Sequence, residues 1–179
     1  MWKCIGIFSL LGGTAGLLYN WSKEEKEKIR RLEAVLRFLE KSVYVMQREK
    51  IKLSDWFAKY IEQELSVPTN SNRILACSLR EMTRRLSANT YPNGQMVWEE
   101  VFKEEEQNLN FDHEVFQCIV QAGCSFFGRS REENVSFLQK SIRELEQHRS
   151  RMIKMSAQER KVWIPVGMLG AVMLVIFFL

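Results

Sequence analysis

The chain has 179 residues, 46% hydrophobic and 27% charged, with a net charge of +4; that balance excludes both a disordered chain and a multi-span transporter. Nine Gly and three Pro exclude collagen-like and low-complexity classes, and four Cys at 4, 77, 118 and 124 fit no zinc spacing or dense disulfide framework. Of 26 Lys and Arg, all but Lys3 fall between Lys23 and Lys161, as do all 22 Asp and Glu, so two uncharged ends flank a charged middle.

The first uncharged stretch, residues 4–22, is CIGIFSLLGGTAGLLYNWS. As a helix rising about 1.5 Å per residue it reaches roughly the hydrocarbon thickness of a bilayer, and it is expected to be an N-terminal transmembrane helix. Trp2 marks one edge and Tyr19 with Trp21 the other, where amphipathic rings favour the headgroup level. Gly13 and Ala15 would also suit a cleaved signal peptide, but Lys23, Lys26, Lys28, Arg30 and Arg31 follow at once and resist translocation. Gly12 with Gly16, and Ser9 with Gly13, give small-xxx-small spacing, so these four residues are candidates for contact between membrane helices.

Residues 23–161 are expected to form a cytoplasmic all-α domain. Ile29, Leu32, Leu36, Leu39, Val43 and Met46 recur at steps of three and four, a heptad stripe. Ser54 is expected to cap a second helix, carrying Phe57, Tyr60, Ile61 and Leu65 and ending before Pro68. Ile74, Leu75, Leu79, Met82 and Leu86 outline a third, stopped by the turn string ANTYPNG. Val97, Trp98, Val101 and Phe102 outline a fourth that runs into Glu104–Glu106, and a fifth opens near Asp112 with Val115, Phe116, Ile119, Val120 and Phe127. Gly128 is placed to stop that helix, and Ser130 with Glu133 forms a capping box. A second stripe follows: Val135, Leu138, Ile142, Leu145 and Met152, with Arg149 out of pattern.

The second uncharged stretch, residues 162–179, is expected to be a C-terminal transmembrane helix with Trp163 at its charged-side edge and Pro165 in its first turns. Arg149, Arg151, Lys154, Arg160 and Lys161 precede it, so both inner flanks are basic. The expected architecture is a helical bundle built on an antiparallel pair of long helices, each continuous with a transmembrane helix. In that pair the residue numbers of facing positions keep a constant sum: Ile29 with Met152, Leu36 with Leu145, Leu39 with Ile142, Val43 with Leu138, and Met46 with Val135. Leu32 then faces Arg149, whose stem can cover it.

No catalytic, metal or cofactor site is legible. G-x-x-x-x-G-K-[ST] is absent, His113 and His148 lie on different helices, and Cys118 and Cys124 are about 240° apart around one helix. The Glu104–Glu106 run reads as a solvated helix end. Basic residues interleaved with acids, without aromatic partners, argue against nucleic acid.

Together these features resemble the stage III sporulation protein AB family of endospore-forming bacteria. That family has short apolar ends, a helical middle, and a small-residue loop with Asp and Gln opening a long final helix. The matching residues here are Gly123, Gly128, Ser130 and Asn134, followed by the final helix and GMLGAVMLVI. The likeness spans the whole chain in layout and, in motif, Val115 to the end. Ser130 stands where Asp is usual and Asn134 where Gln is usual; Ser is an equally good N-cap but brings no negative charge.

The resemblance implies a component of the complex at the mother-cell membrane facing the forespore. It also implies a cytoplasmic domain similar to the platform proteins of type II secretion and type IV pilus machines. Its partners would be a cytosolic ATPase, stage III sporulation protein AA, other membrane components and membrane lipid, with room for a homo-oligomer. The expected function is therefore a non-enzymatic membrane platform that docks an ATPase and uses no cofactor. The alternative is a small membrane-anchored sensor or regulator, disfavoured by the few residues beyond either apolar segment. The corner holding Phe127, Arg129 and Arg131 is the candidate partner surface, because Arg forks and aromatic rings are enriched at interfaces.

Overall fold

The computed structural model describes residues 2–49, 51–66, 69–88, 93–127 and 130–178. Before Tyr19 only Gly13 and Gly16 have described surroundings, and beyond Glu159 only Lys161, Val162, Pro165, Val166, Gly167, Leu169, Gly170, Met173 and Ile176. The chain is all-α. Its helices are α1 (Trp2–Arg48), α2 (Leu53–Glu64), α3 (Arg73–Ser87), α4 (Gly94–Glu104), α5 (Glu106–Leu109), α6 (His113–Cys124) and α7 (Arg131–Phe178), with no strand among the described residues. Two compact units result: Lys28–Ser150, and Met1–Glu27 with Arg151–Leu179.

Local chemistry sets several ends differently from the sequence expectation. Ser54 does not cap α2. The helix starts one residue earlier, Lys52 is extended at φ −67° and ψ 145° without a side-chain cap, and the Ser54 hydroxyl turns to Asp55 Oδ1 at 3.3 Å. Asn93 caps α4, its Oδ1 accepting from Gln95 N at 3.0 Å. The acidic run does not continue α4, which ends at Glu104. After it, α5 forms one short turn closed by Asn110 in the left-handed region at φ 52°. Arg31 of α1 fixes that turn, Nη1 donating to the carbonyls of Asn108 and Leu109 at 3.1 Å each. α6 ends at Cys124, before Phe127, and Gly128, expected to stop it, lies outside the described residues. Ser130 does cap α7, its Oγ accepting from Glu133 N at 3.3 Å.

The core of Lys28–Ser150 is built on α1, which buries more than its heptad stripe. Leu32, Leu36, Leu39 and Val43 are buried as the stripe requires, with Ile29 and Met46 half-buried. A second line, Ala34, Phe38, Ser42 and Val45, is buried too. Phe38 lies 5.1–6.4 Å, centroid to centroid, from Tyr60, Phe57, Phe126 and Trp98, so α2, α4 and the segment after α6 meet on one ring. Ser42 sits beside it, accepting from Trp56 Nε1 at 2.9 Å while donating to the Phe38 carbonyl at 2.8 Å. Trp98 stacks on Phe102 at 4.2 Å, and a Cβ added to Gly123 of α6 would fall 1.8 Å from its indole. Only a residue without a side chain lets α6 approach α4 that closely.

Along α7 the buried line is Asn134, Leu138, Ser141 and Leu145, whereas Val135 and Ile142 are half-buried. The line is thus rotated from the apolar stripe, and small polar residues occupy alternate positions. Among the described residues no helix is long and apolar enough to cross a membrane, so the expected spans at 4–22 and 162–179 are not shown. Most of their side chains, those of Trp2 and Trp163 included, lie outside the described residues. Pro165 lies inside α7, which continues past it.

Phe38→Ala is expected to destabilise the chain by about 3–5 kcal/mol, and Gly123→Ala by about 1–3 kcal/mol through overpacking against Trp98. Urea unfolding followed by circular dichroism measures both. A Gly123→Ala midpoint equal to the parent's would show that the α4–α6 approach is looser than the geometry requires.

Candidate functional site

The corner expected to meet a partner is partly built into the fold. Phe127 is half-buried, its ring lying where a Cβ on Gly94 would come within 2.3 Å. The Arg131 guanidinium donates through Nε to the Met46 carbonyl and through Nη2 to the Glu49 carbonyl, the latter at 2.8 Å. Those acceptors are carbonyls at the end of α1, where helical donors run out. Arg131 therefore clasps α1 from the start of α7 rather than projecting freely to a partner carboxylate. Arg129 lies outside the described residues. Asn134, part of the motif that opens the last helix, is 5% exposed and keeps its backbone N–H on Ser130 O at 3.0 Å.

Next to this clasp is a cavity of about 260 Å³. Its apolar walls come from Val45, Met46, Ile51, Leu53, Trp56 and Phe126, with Glu49 and Arg131 supplying the charged part. Phe126, not Phe127, is the corner's core ring, packed 5.7 Å from both Phe57 and Trp98.

In the acidic stretch, Glu99, Glu100, Glu104 and Glu105 are engaged within the domain. Arg85 of α3, its side chain 15% exposed, bonds Glu81 at 2.6 Å on its own helix and Glu100 and Glu104 of α4 at 3.2 and 2.8 Å. Hydrogen bonds from Arg84 and Arg85 hold the Glu81 carboxyl down at about 2. Glu99 accepts from Gln95 at 2.9 Å and from the Cys124 thiol at 3.2 Å, and both bonds lower its pKa. Glu105 accepts from Asn108 at 2.8 Å.

Cys118 and Cys124 have little nucleophilic character. Cys118 donates to Glu144 at 3.4 Å, and burial together with that carboxylate pushes its thiol up to about 12. Burial and Glu99 push Cys124 equally far, so both stay protonated near neutrality. Cys77 is exposed. Among the described residues no three His, Cys, Asp or Glu cluster to hold a metal.

The candidate membrane-contact residues are seen only in part. A Cβ on Gly13 or Gly16 would meet nothing within 4 Å, and Ser9 and Gly12 lie outside the described side chains. Of the helix-pair candidates, Leu138 and Leu145 are fully buried and Met152 is half-buried. Leu32 is also fully buried, and Arg149 is half-buried with its Nε out of reach of any acceptor.

Phe38, Arg31 and Arg85 carry contacts that the sequence reading did not assign. A signal existed for two of them: Ala34 and Phe38 stand four apart, and Glu81–Arg85 is an i,i+4 ion pair. Nothing local marks Arg31, whose acceptors lie 77 and 78 residues away.

A family model, that of stage III sporulation protein AB, matches residues 3–179, nearly the whole chain. The chain belongs to this family. That membership implies a sporulation-related role. No curated protein and no solved structure was found to match.

The Arg85 cluster gives a pH test. A carboxyl lowered in the fold stabilises above its unfolded value of about 4.5, and the contribution is lost as pH falls toward 2. Arg85→Met should lower the melting temperature at pH 5. It should also narrow the difference between melts at pH 5 and pH 3, because part of that difference comes from Glu81.

Proposed function

We propose that this member of the stage III sporulation protein AB family is a non-enzymatic, two-pass membrane protein. Its central domain faces the cytoplasm and docks a cytosolic ATPase onto a membrane complex. The membrane part rests on one observation above others. Val162, Val166, Leu169, Met173 and Ile176 follow one another along α7 at steps of four and three, and each is 51–73% exposed. Water disfavours such a stripe by about 25 cal/mol for each Å² of apolar surface, whereas hydrocarbon does not. The uncharged sequence around it and the basic flanks at Lys23–Arg31 and Arg149–Lys161 support spans at both ends with the middle inside.

The platform reading draws on the family resemblance and on the sequence. The chain has no phosphate-cradling motif, so hydrolysis would fall to a partner such as the family's AA ATPase. Mother-cell membrane location, and likeness to secretion or pilus platform proteins, belong to the same proposal.

Two measurements test it. A reporter fused at residue 90 should be active on the cytoplasmic side, and the full chain should stay with membranes through carbonate washing. The detergent-solubilised full chain should also retain the purified ATPase in a pull-down. An outward reporter or release by carbonate would overturn the topology, and loss of the ATPase at low salt would overturn the docking role.

A further inference from the structure

Where its charged part meets its uncharged end, α7 carries two exposed stripes side by side. One is apolar. Met155, 59% exposed, stands seven residues before Val162, so the exposed line through Val162, Val166 and Leu169 reaches about 10 Å further along the helix, into the charged part. The other stripe is polar and basic: Arg151, Lys154, Gln158 and Lys161 follow at steps of three, four and three, and all four are exposed. Between the stripes lies an open groove of about 330 Å³, bordered among the described residues by Met155, Gln158, Glu159 and Val162.

The bases of this stripe have no acid to answer them. Among the described residues, Arg151, Lys154 and Lys161 form no ion pair. No acid stands three or four positions from any of them, where a partner on the same helix would have to be. Over residues 151–179 the sequence has four bases, Arg160 included, and one acid, Glu159. Glu159 borders the groove on its other flank, about 140° and 160° round the helix from Lys154 and Lys161 and about 80° from Arg151. Glu146, the next acid upstream, stands three residues before Arg149 and five before Arg151. The rest of the same unit, Met1–Glu27, is balanced, with Lys3, Lys23 and Lys26 against Glu24, Glu25 and Glu27. The net positive charge of the unit therefore comes from α7.

We propose that this face of α7 binds one anionic phospholipid, its glycerol and ester groups in the groove against Met155 and Val162 and its phosphate on Lys154 and Lys161. Gln158, between the two lysines on their stripe, donates its amide to the same oxygens. The lysine stems cover the neighbouring apolar surface while their ammonium groups stay at headgroup depth. Charge selects the lipid: a headgroup of net negative charge answers bases that find no carboxylate in the chain, whereas a zwitterionic one returns a cation to them. Arg151, one turn further from the apolar end, adds to the field at the headgroup. This inference rests on the membrane part of the reading above and goes beyond it. Orientation requires only a basic flank; a lipid site requires these bases exposed, unpaired and beside an apolar groove.

The test uses the full chain, delipidated in detergent, with phosphatidylglycerol, phosphatidylcholine and phosphatidylethanolamine as probes, read by native mass spectrometry. Phosphatidylglycerol should bind about tenfold or more tightly than either zwitterionic lipid. Lys154→Gln/Lys161→Gln should remove that preference, since each base near an anionic lipid surface is worth on the order of a fivefold change. Met155→Glu, which puts a carboxylate in the groove, should weaken phosphatidylglycerol binding about as much. Arg73→Gln/Arg80→Gln, at exposed positions on α3, should bind like the parent. All of these side chains except those of Met155 are polar, all are exposed, and circular dichroism checks the fold. Equal binding of the three lipids, or parent-like binding by both α7 variants, would overturn this site while leaving the two-pass topology intact. A dimer that persists in excess phosphatidylglycerol and is lost in Met155→Glu would give the groove to a second copy of the chain and overturn the lipid. If carbonate releases the parent from membranes, the topology and this inference fall together.

Discussion

The domain between Lys28 and Ser150 depends on Phe38. Its ring is fully buried and touches aromatic rings from α2, from α4 and from the segment that follows α6. The contacts with Phe57, Tyr60 and Phe126 are tilted or edge-on and that with Trp98 is near-parallel at 14°, and ring pairs of both kinds add to the burial of their area. Because α1 offers one face to this cluster and another through Leu32, Leu36, Leu39 and Val43, it is surrounded rather than merely paired. Ser42 completes the arrangement by satisfying the Trp56 indole where an unbonded donor would be costly.

Arginine does different work in different places, and its chemistry explains why. Arg31 and Arg131 each bind backbone carbonyls at a helix end, where the macrodipole leaves partial negative charge and the last acceptors have no helical donor. Arg85 instead gathers three carboxylates from two helices. A planar fork with several donors suits both tasks. Residues that a charge map counts as surface are here internal ties.

Helix type and order were readable because the apolar periodicity is strong and Pro, Gly and Asn punctuate it. The full burial of α1 was not legible in its heptad stripe. A heptad stripe marks one face, and Phe38 lies off it, so the stripe does not mark the second buried line. On α7 the apolar stripe and the buried line diverge: Asn134 and Ser141 are buried, whereas Val135 and Ile142, which the periodicity assigns inward, are half-buried. The capping of α7 by Ser130 was legible because its signal is local. The candidate corner was legible in place but not in detail: Arg131 and Phe126 border the cavity, yet the clasp onto α1 joins residues 82 and 85 positions apart, which no local pattern encodes.

The approach of Gly123 to the indole of Trp98 has a consequence for descent. The space taken by the ring on α4 is the space a side chain on α6 would need. A lineage cannot enlarge position 123 while keeping tryptophan at 98, nor shrink position 98 without opening a void that a larger residue at 123 could fill. The two sites form a single volume divided between two helices. Substitutions there are expected to arrive as compensating pairs, so the residue at either site constrains the residue at the other.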